Sequence, residues 1–107
     1  MAVRTLSKVQ LETVLLAYLM REPQTGRALM DNIHRDSGVR FSPGRVYPTL
    51  AGLVRQGLLT PVRRTRQIVY HPVDRARLQK CVETRLDEST SLIEFVKGLC
   101  RVALERR

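Results

Sequence analysis

The chain has 107 residues, enough for one domain with a modest core and too few for an enzyme built around an elaborate cleft. Nineteen Lys and Arg stand against ten Asp and Glu, and a formal net charge of +9 favours polyanionic partners: DNA, RNA or an anionic membrane surface. The first residues lack the apolar run of a signal peptide and no stretch is long enough to span a bilayer, so a soluble, cytoplasmic protein with no membrane partner is expected.

A first helix is predicted from about Ser7 to Met20. Ser7 and Gln10 form a capping-box pair, and Leu11, Val14, Leu15, Tyr18 and Leu19 make an apolar stripe. Glu22-Pro23-Gln24 breaks it. Thr25 caps a second helix that turns Ala28, Leu29, Met30 and Ile33 inward and stops at Gly38. A third helix follows. Ser42 suits its N-cap and Pro43 its first position, and Gly57 sits where a left-handed stop belongs. Val46, Leu50, Leu53 and Val54 give it one buried stripe. Gly44, Pro48, Ala51, Gly52 and Arg55 fall on the other side. Small residues beside arginine let this face approach another backbone closely, and in so basic a chain a DNA groove is the expected object.

After Gly57 the period shifts from 3.6 to about 2. Leu58 to Arg63 reads as a strand with Pro61 at an edge or bulge, Arg64-Thr65-Arg66-Gln67 as a polar tip, and Gln67 to His71 as the return strand. Pro72 ends the hairpin. From about Asp74 the helical period returns to the end of the chain. Leu78, Val82 and Leu86 form one stripe; Leu92, Val96, Leu99 and Ala103, widened by Ile93, Cys100 and Leu104, form a second. Arg85 and Ser89 interrupt the seam, so the helix either runs through or kinks near Ser89. An apolar stripe of that length needs a partner, and a second copy of the chain is the simplest one.

Three helices followed by a hairpin make an α+β, mainly α, fold: a winged helix-turn-helix with a long C-terminal dimerisation helix. Residues 1–72 form the expected DNA-binding domain and 73–107 the dimerisation segment. The third helix enters the major groove and the hairpin tip reaches an adjacent groove or the backbone.

The residues also resemble the PadR family of prokaryotic transcriptional regulators. The resemblance covers about residues 11–71. It rests on Leu15-Leu16-Ala17-Tyr18-Leu19, on Thr25-Gly26-Arg27-Ala28-Leu29 and above all on Ser42-Pro43-Gly44-Arg45-Val46-Tyr47-Pro48-Thr49-Leu50, continued by Gln56-Gly57-Leu58-Leu59. It implies a dimeric winged-helix repressor whose C-terminal helix serves dimerisation and a ligand response, and it makes Tyr47 a contact to the DNA backbone. The sequence departs from the family in two places. Thr25-Gly26 stands where His-Gly is frequent, and His71-Pro72-Val73-Asp74 replaces a Leu-Thr pair leading to Gly. Some members hold planar aromatic ligands between tryptophans; this chain has no Trp, so that mode does not carry over and no effector is assigned.

The expected DNA contacts are Ser42, Gly44, Arg45, Tyr47, Pro48, Thr49, Arg63, Arg64, Arg66 and Lys8, with Arg4 as a further backbone contact. Arg45 is placed to grip guanine or a phosphate; a solvated arginine is the plain alternative. A hairpin tip needs turn residues, and three arginines there fit phosphate better than they fit a turn. Tyr18 and Tyr70 are expected in the core. Leu78, Val82, Leu86, Leu92, Ile93, Val96, Leu99, Cys100 and Ala103 are the expected dimer interface. His34 and His71 lack companions at ligand spacing, so no metal site and no cofactor are expected. Cys81 and Cys100 read as packing residues in a reducing compartment, ahead of redox sensing. The expected partners are a palindromic double-stranded DNA operator and a second copy. A winged helix that docks on protein is the competing reading, and the lack of convergent titratable groups argues against an enzyme.

Overall fold

The first helix begins where its capping box closes. The Gln10 amide donates to the Ser7 hydroxyl, and the Gln10 side chain accepts from the Ser7 amide at 2.8 Å. In the computed structural model, which describes residues 6–105 and all their side chains except those at 100 and 102–105, α1 is Lys8–Arg21, β1 Gln24–Thr25, α2 Gly26–Ser37 and α3 Pro43–Arg55. They are followed by β2 Leu59–Arg64, β3 Gln67–Pro72 and α4 Arg75–Glu105. Arg4 lies outside the described residues, and Cys100, Ala103 and Leu104 outside the described side chains.

Each boundary has its chemistry. The Thr25 hydroxyl accepts from the Ala28 amide, and Gly38 closes α2 at φ +77, a conformation that costs glycine nothing. Gly57 does the same work after α3 at φ +76. Ser42 occupies the N-cap of α3 but makes no side-chain cap bond, which leaves its hydroxyl free at an exposed position. Arg64 pairs with Gln67, so the hairpin turns in two residues, Thr65 and Arg66. Thr65 takes φ +56 there without the glycine or asparagine that usually supplies it.

The sheet has a third strand that the sequence pattern does not announce. Gln24 and Thr25 pair antiparallel with Tyr70 and Val69, giving the order β1-β3-β2. The segment that breaks α1 therefore also anchors the wing. Gln24 is buried and fully engaged: its Nε2 donates to the Tyr18 carbonyl at 3.1 Å and its Oε1 accepts from Asn32 Nδ2 at 2.5 Å. Tyr18 packs its half-buried ring against the core but sends its hydroxyl out to Asp36 at 2.6 Å, so it is only in part the core residue expected.

Leu11, Leu15 and Leu19 of α1, Leu29 and Ile33 of α2, and Val46, Leu50 and Leu53 of α3 meet in one core, closed by Leu59 and Tyr70 of the sheet. Tyr70 is in the core, as its alternation predicts. The first turns of α4 add Leu78 and Val82 to it. These two were expected at the dimer interface. The structure buries them inside their own chain, because α4 packs on α1 before it leaves the domain. Beyond Val82, α4 runs on without a break through Ser89, 31 residues and about 46 Å in all. It carries the molecule's long dimension to 63 Å.

Candidate nucleic-acid interface

The third helix sorts its residues into two faces. Val46, Leu50 and Leu53 are fully buried, while Gly44, Tyr47, Pro48 and Arg55 are exposed along the other side. Val54, expected on the buried stripe, is half-buried, and Gly52, expected on the open face, is buried. Thr49 also departs from expectation. It is 5 % exposed, and its hydroxyl donates to the Arg45 carbonyl at 2.8 Å. Its i+3 distance from Val46 puts it on the inner face, where its one donor is consumed within the helix, so it is not available to DNA.

Arg45 is half-buried rather than free. Its guanidinium lies 5.2 Å over the Phe41 ring and donates to the Leu6 carbonyl. The residue thus ties the start of α1 to the start of α3, and its role as a base reader requires that this contact open. Pro48 does not break the helix, but it brings no amide, so the Gly44 carbonyl loses its helical donor.

Two glycines of the family-like strings have different physical reasons. A Cβ on Gly26 would lie 2.5 Å from Tyr47 Cε1, so with any other residue there the half-exposed tyrosine ring would have to move. A Cβ on Gly44 would meet nothing within 4 Å. The fold therefore does not require a bare backbone at position 44. Tyr47 is 43 % exposed and near Tyr70, whose phenol is pushed up first by burial and then by the charge of Tyr47.

Arg63 and Arg64 are consecutive on β2 and so point to opposite faces of the wing, while Arg66 sits in the turn; all three are exposed. Lys8 is exposed at the start of α1. Among the described residues, none of Lys8, Arg45, Arg55, Arg63, Arg64 and Arg66 is within ion-pair distance of a carboxylate, whereas Arg27, Arg35 and Arg40 are paired with Asp31 or Asp36. A plain signal for this lies in the chain itself: from Ser37 to Val73 there are six arginines and no Asp or Glu.

His71, which has no ligand companions, carries a buried Nε2 without a hydrogen-bond partner among the described residues. No group of three or more His, Cys, Asp or Glu that could hold a metal occurs among the described residues, and no described helix is long and apolar enough to cross a membrane.

A family model described as the transcriptional regulator PadR-like family matches residues 15–71, the segment that holds α2, α3 and the wing. The chain belongs to the PadR-like transcriptional regulator family. This PadR-like chain is 30 % identical over 88 residues to the transcriptional activator GvpE of Haloferax mediterranei; the match takes in 82 % of the chain and 46 % of GvpE, so the chain spans about half the length of that relative. Its fold is similar to a transcriptional regulator of Clostridium thermocellum, with a TM-score of 0.73 at 14 % identity over 82 % of this chain and 87 % of the other. It is also similar to RosR of H. salinarum, with a TM-score of 0.64 at 25 % identity, covering 82 % of this chain and 77 % of that one. The winged-helix architecture with its long C-terminal helix is shared with these regulators.

Proposed function

We propose that this PadR-like protein is a homodimeric, sequence-specific double-stranded DNA-binding regulator that represses by occupying its operator. The observation that carries the reading is the acid-free surface of α3 and the wing, where a bare helix face lies beside unpaired arginines. Ser42, Gly44, Tyr47 and Pro48 enter the major groove with the exposed side of α3. Arg63, Arg64, Arg66 and Lys8 neutralise phosphates, so affinity falls steeply with salt. Arg45 reads a base or grips a phosphate once it leaves the Leu6 carbonyl.

The outer half of α4 supports the dimer. Leu86, Leu92, Ile93, Phe95, Val96 and Leu99 are all exposed apolar side chains on the described part of one helix. No described residue of the protomer covers them, and a stripe of this kind marks a protein contact. Two copies joined there present two third helices to a palindrome with half-sites about 34–36 Å apart. Repression rather than activation follows if the operator overlaps the promoter; the name of GvpE makes the opposite arrangement a concrete alternative for a relative of this chain.

Selection from a pool of randomised duplexes tests the reading. The expected product is a palindrome with half-sites separated by one helical turn. A pool that binds but never converges contradicts sequence reading, and convergence on a single undivided half-site contradicts the dimer.

A further inference from the structure

The wing joins the domain through β3, and one buried amide holds the strand beside it. Gln24 is 6 % exposed and carries no charge. Its Nε2 donates to the Tyr18 carbonyl of α1 at 3.1 Å, and its Oε1 accepts from Asn32 Nδ2 of α2 at 2.5 Å. Asn32 is held in turn, since its Oδ1 accepts from Arg35 Nη1 at 3.1 Å. The backbone of Gln24 meanwhile pairs with Tyr70 of β3. The next residue, Thr25, pairs with Val69, and its hydroxyl accepts from the first turn of α2. Both residues of β1 thus join the helices to the wing, through their side chains on one side and their backbone on the other.

Apolar contact alone does not fix the angle at which a hairpin leaves a core. Leu59 and Tyr70 bury the base of the wing, but burial is non-directional. Hydrogen bonds are directional, and a buried amide left without its partners is costly, so the bonds of Gln24 favour one geometry over its neighbours. β2, which carries Arg63 and Arg64, is the outer strand in the order β1-β3-β2 and is linked to β1 only through β3. Arg66 in the turn is three residues from Val69, about 10 Å along a strand. A small tilt at β1 therefore becomes an ångström-scale shift at the tip.

We propose that Gln24 is a positioning residue for DNA binding: by joining α1 and α2 to β3, its amide sets the angle of the wing and so the reach of Arg63, Arg64 and Arg66 to phosphate. The proposal rests on the DNA-binding reading and goes further, naming a buried residue that governs one half of the interface without touching DNA. The side-chain hydrogen bonds of Gln24 run to the Tyr18 and Glu22 carbonyls and to Asn32, and none runs to α3. The contacts that depend on it are therefore those of the wing and not those of the third helix.

The test is a double-mutant cycle on the full chain, with affinity for one duplex of fixed sequence titrated across a salt series. Gln24→Leu nearly keeps the volume and removes the side-chain hydrogen bonds. In the native background it is expected to weaken binding about tenfold and to lower the salt slope by about 2, as the wing arginines lose their phosphates. Gln24 has no charge of its own, so a change of slope has to come through the groups it positions. In a chain that already carries Arg64→Ala and Arg66→Ala, the same substitution is expected to add little further loss, because the two changes act on one set of contacts. Circular dichroism checks that each variant is folded. Should Gln24→Leu fail to fold, Asn32→Ala, which removes one of its bonds and leaves β1 intact, takes its place in the cycle. An equal loss in both backgrounds, or an unchanged slope, overturns the proposal while DNA binding by the native chain stands. A native chain that binds no duplex defeats the DNA-binding reading and this proposal together.

Discussion

The winged helix and the outer half of α4 differ in how far each satisfies its own chemistry. In the winged helix every large apolar residue of the third helix is covered except Tyr47 and part of Val54, and what stays unsatisfied is charge: of six arginines between Ser37 and Val73, a stretch with no acid, only Arg40 has an ion pair among the described residues. From Asp74 onward the balance is reversed. Six acids nearly match eight bases, and what stays unsatisfied is apolar surface, with Leu92 at 62 % and Phe95 at 64 % exposed. A region short of anions calls for a polyanion, and one short of apolar cover calls for another protein. The same chain thus holds two open valences of different kinds, at different ends.

If that division is right, truncation in the two regions has different consequences. Leu50→Ala should cost the protomer about 2–5 kcal/mol in urea unfolding, because the side chain is fully buried. Leu92→Ala should leave protomer stability in dilute solution unchanged and weaken self-association, seen as a lower concentration dependence of Tm. Equal losses from both would abolish the contrast.

The two glycines sharpen it within the DNA-binding half. Gly26→Ala should displace the Tyr47 ring, which the added methyl strikes, at a small cost in stability because that ring is 43 % exposed and can swing outward. Gly44→Leu should fold as well as the native chain and lose DNA affinity, since only an outside surface needs the space. Thermal melts and DNA titrations on both variants separate the two roles; a destabilised Gly44→Leu would move that glycine to the structural side.

Arg64→Ala combined with Arg66→Ala should weaken binding to all duplexes alike and reduce the salt slope by about 2. An unchanged slope would remove the wing from the interface.

The smallest expected effect is electrostatic. The Arg35 hydrogen bond first, then the Tyr18 hydroxyl, hold the Asp36 carboxyl below its usual value. A carboxyl lowered on folding adds stability above its unfolded pKa, and that stability is lost as pH falls through the folded value. Asp36→Asn should therefore lower stability slightly at neutral pH and not at all at the acid end, where the native carboxyl is protonated too. The groups are exposed and solvent screens them, so the difference between urea midpoints at the two pH values is expected to be small.

Much of this was legible in the sequence because local rules dominate locally. Ser7, Thr25, Gly38 and Gly57 stand where their caps require, and the shift from period 3.6 to 2 marks the wing. What escaped was decided by tertiary contacts. Two residues, Gln24 and Thr25, are too short a run to announce a strand, and only the presence of β3 makes them one. Thr49 looks like a contact residue by type, yet the helix phase turns it inward. Leu78 and Val82 share a stripe with Leu86, but where α4 leaves α1 cannot be read from spacing alone. Arg45 keeps its expected position and hides its engagement with Leu6, 39 residues away in the chain.

The central claim, that the acid-free face reads DNA, is tested most directly by fluorescence anisotropy. The selected duplex and a scrambled duplex of equal length are titrated across a salt series. The account predicts a preference of about a hundredfold or more for the selected duplex and steeply salt-dependent affinity for both. Absence of binding to either duplex at low salt would contradict it.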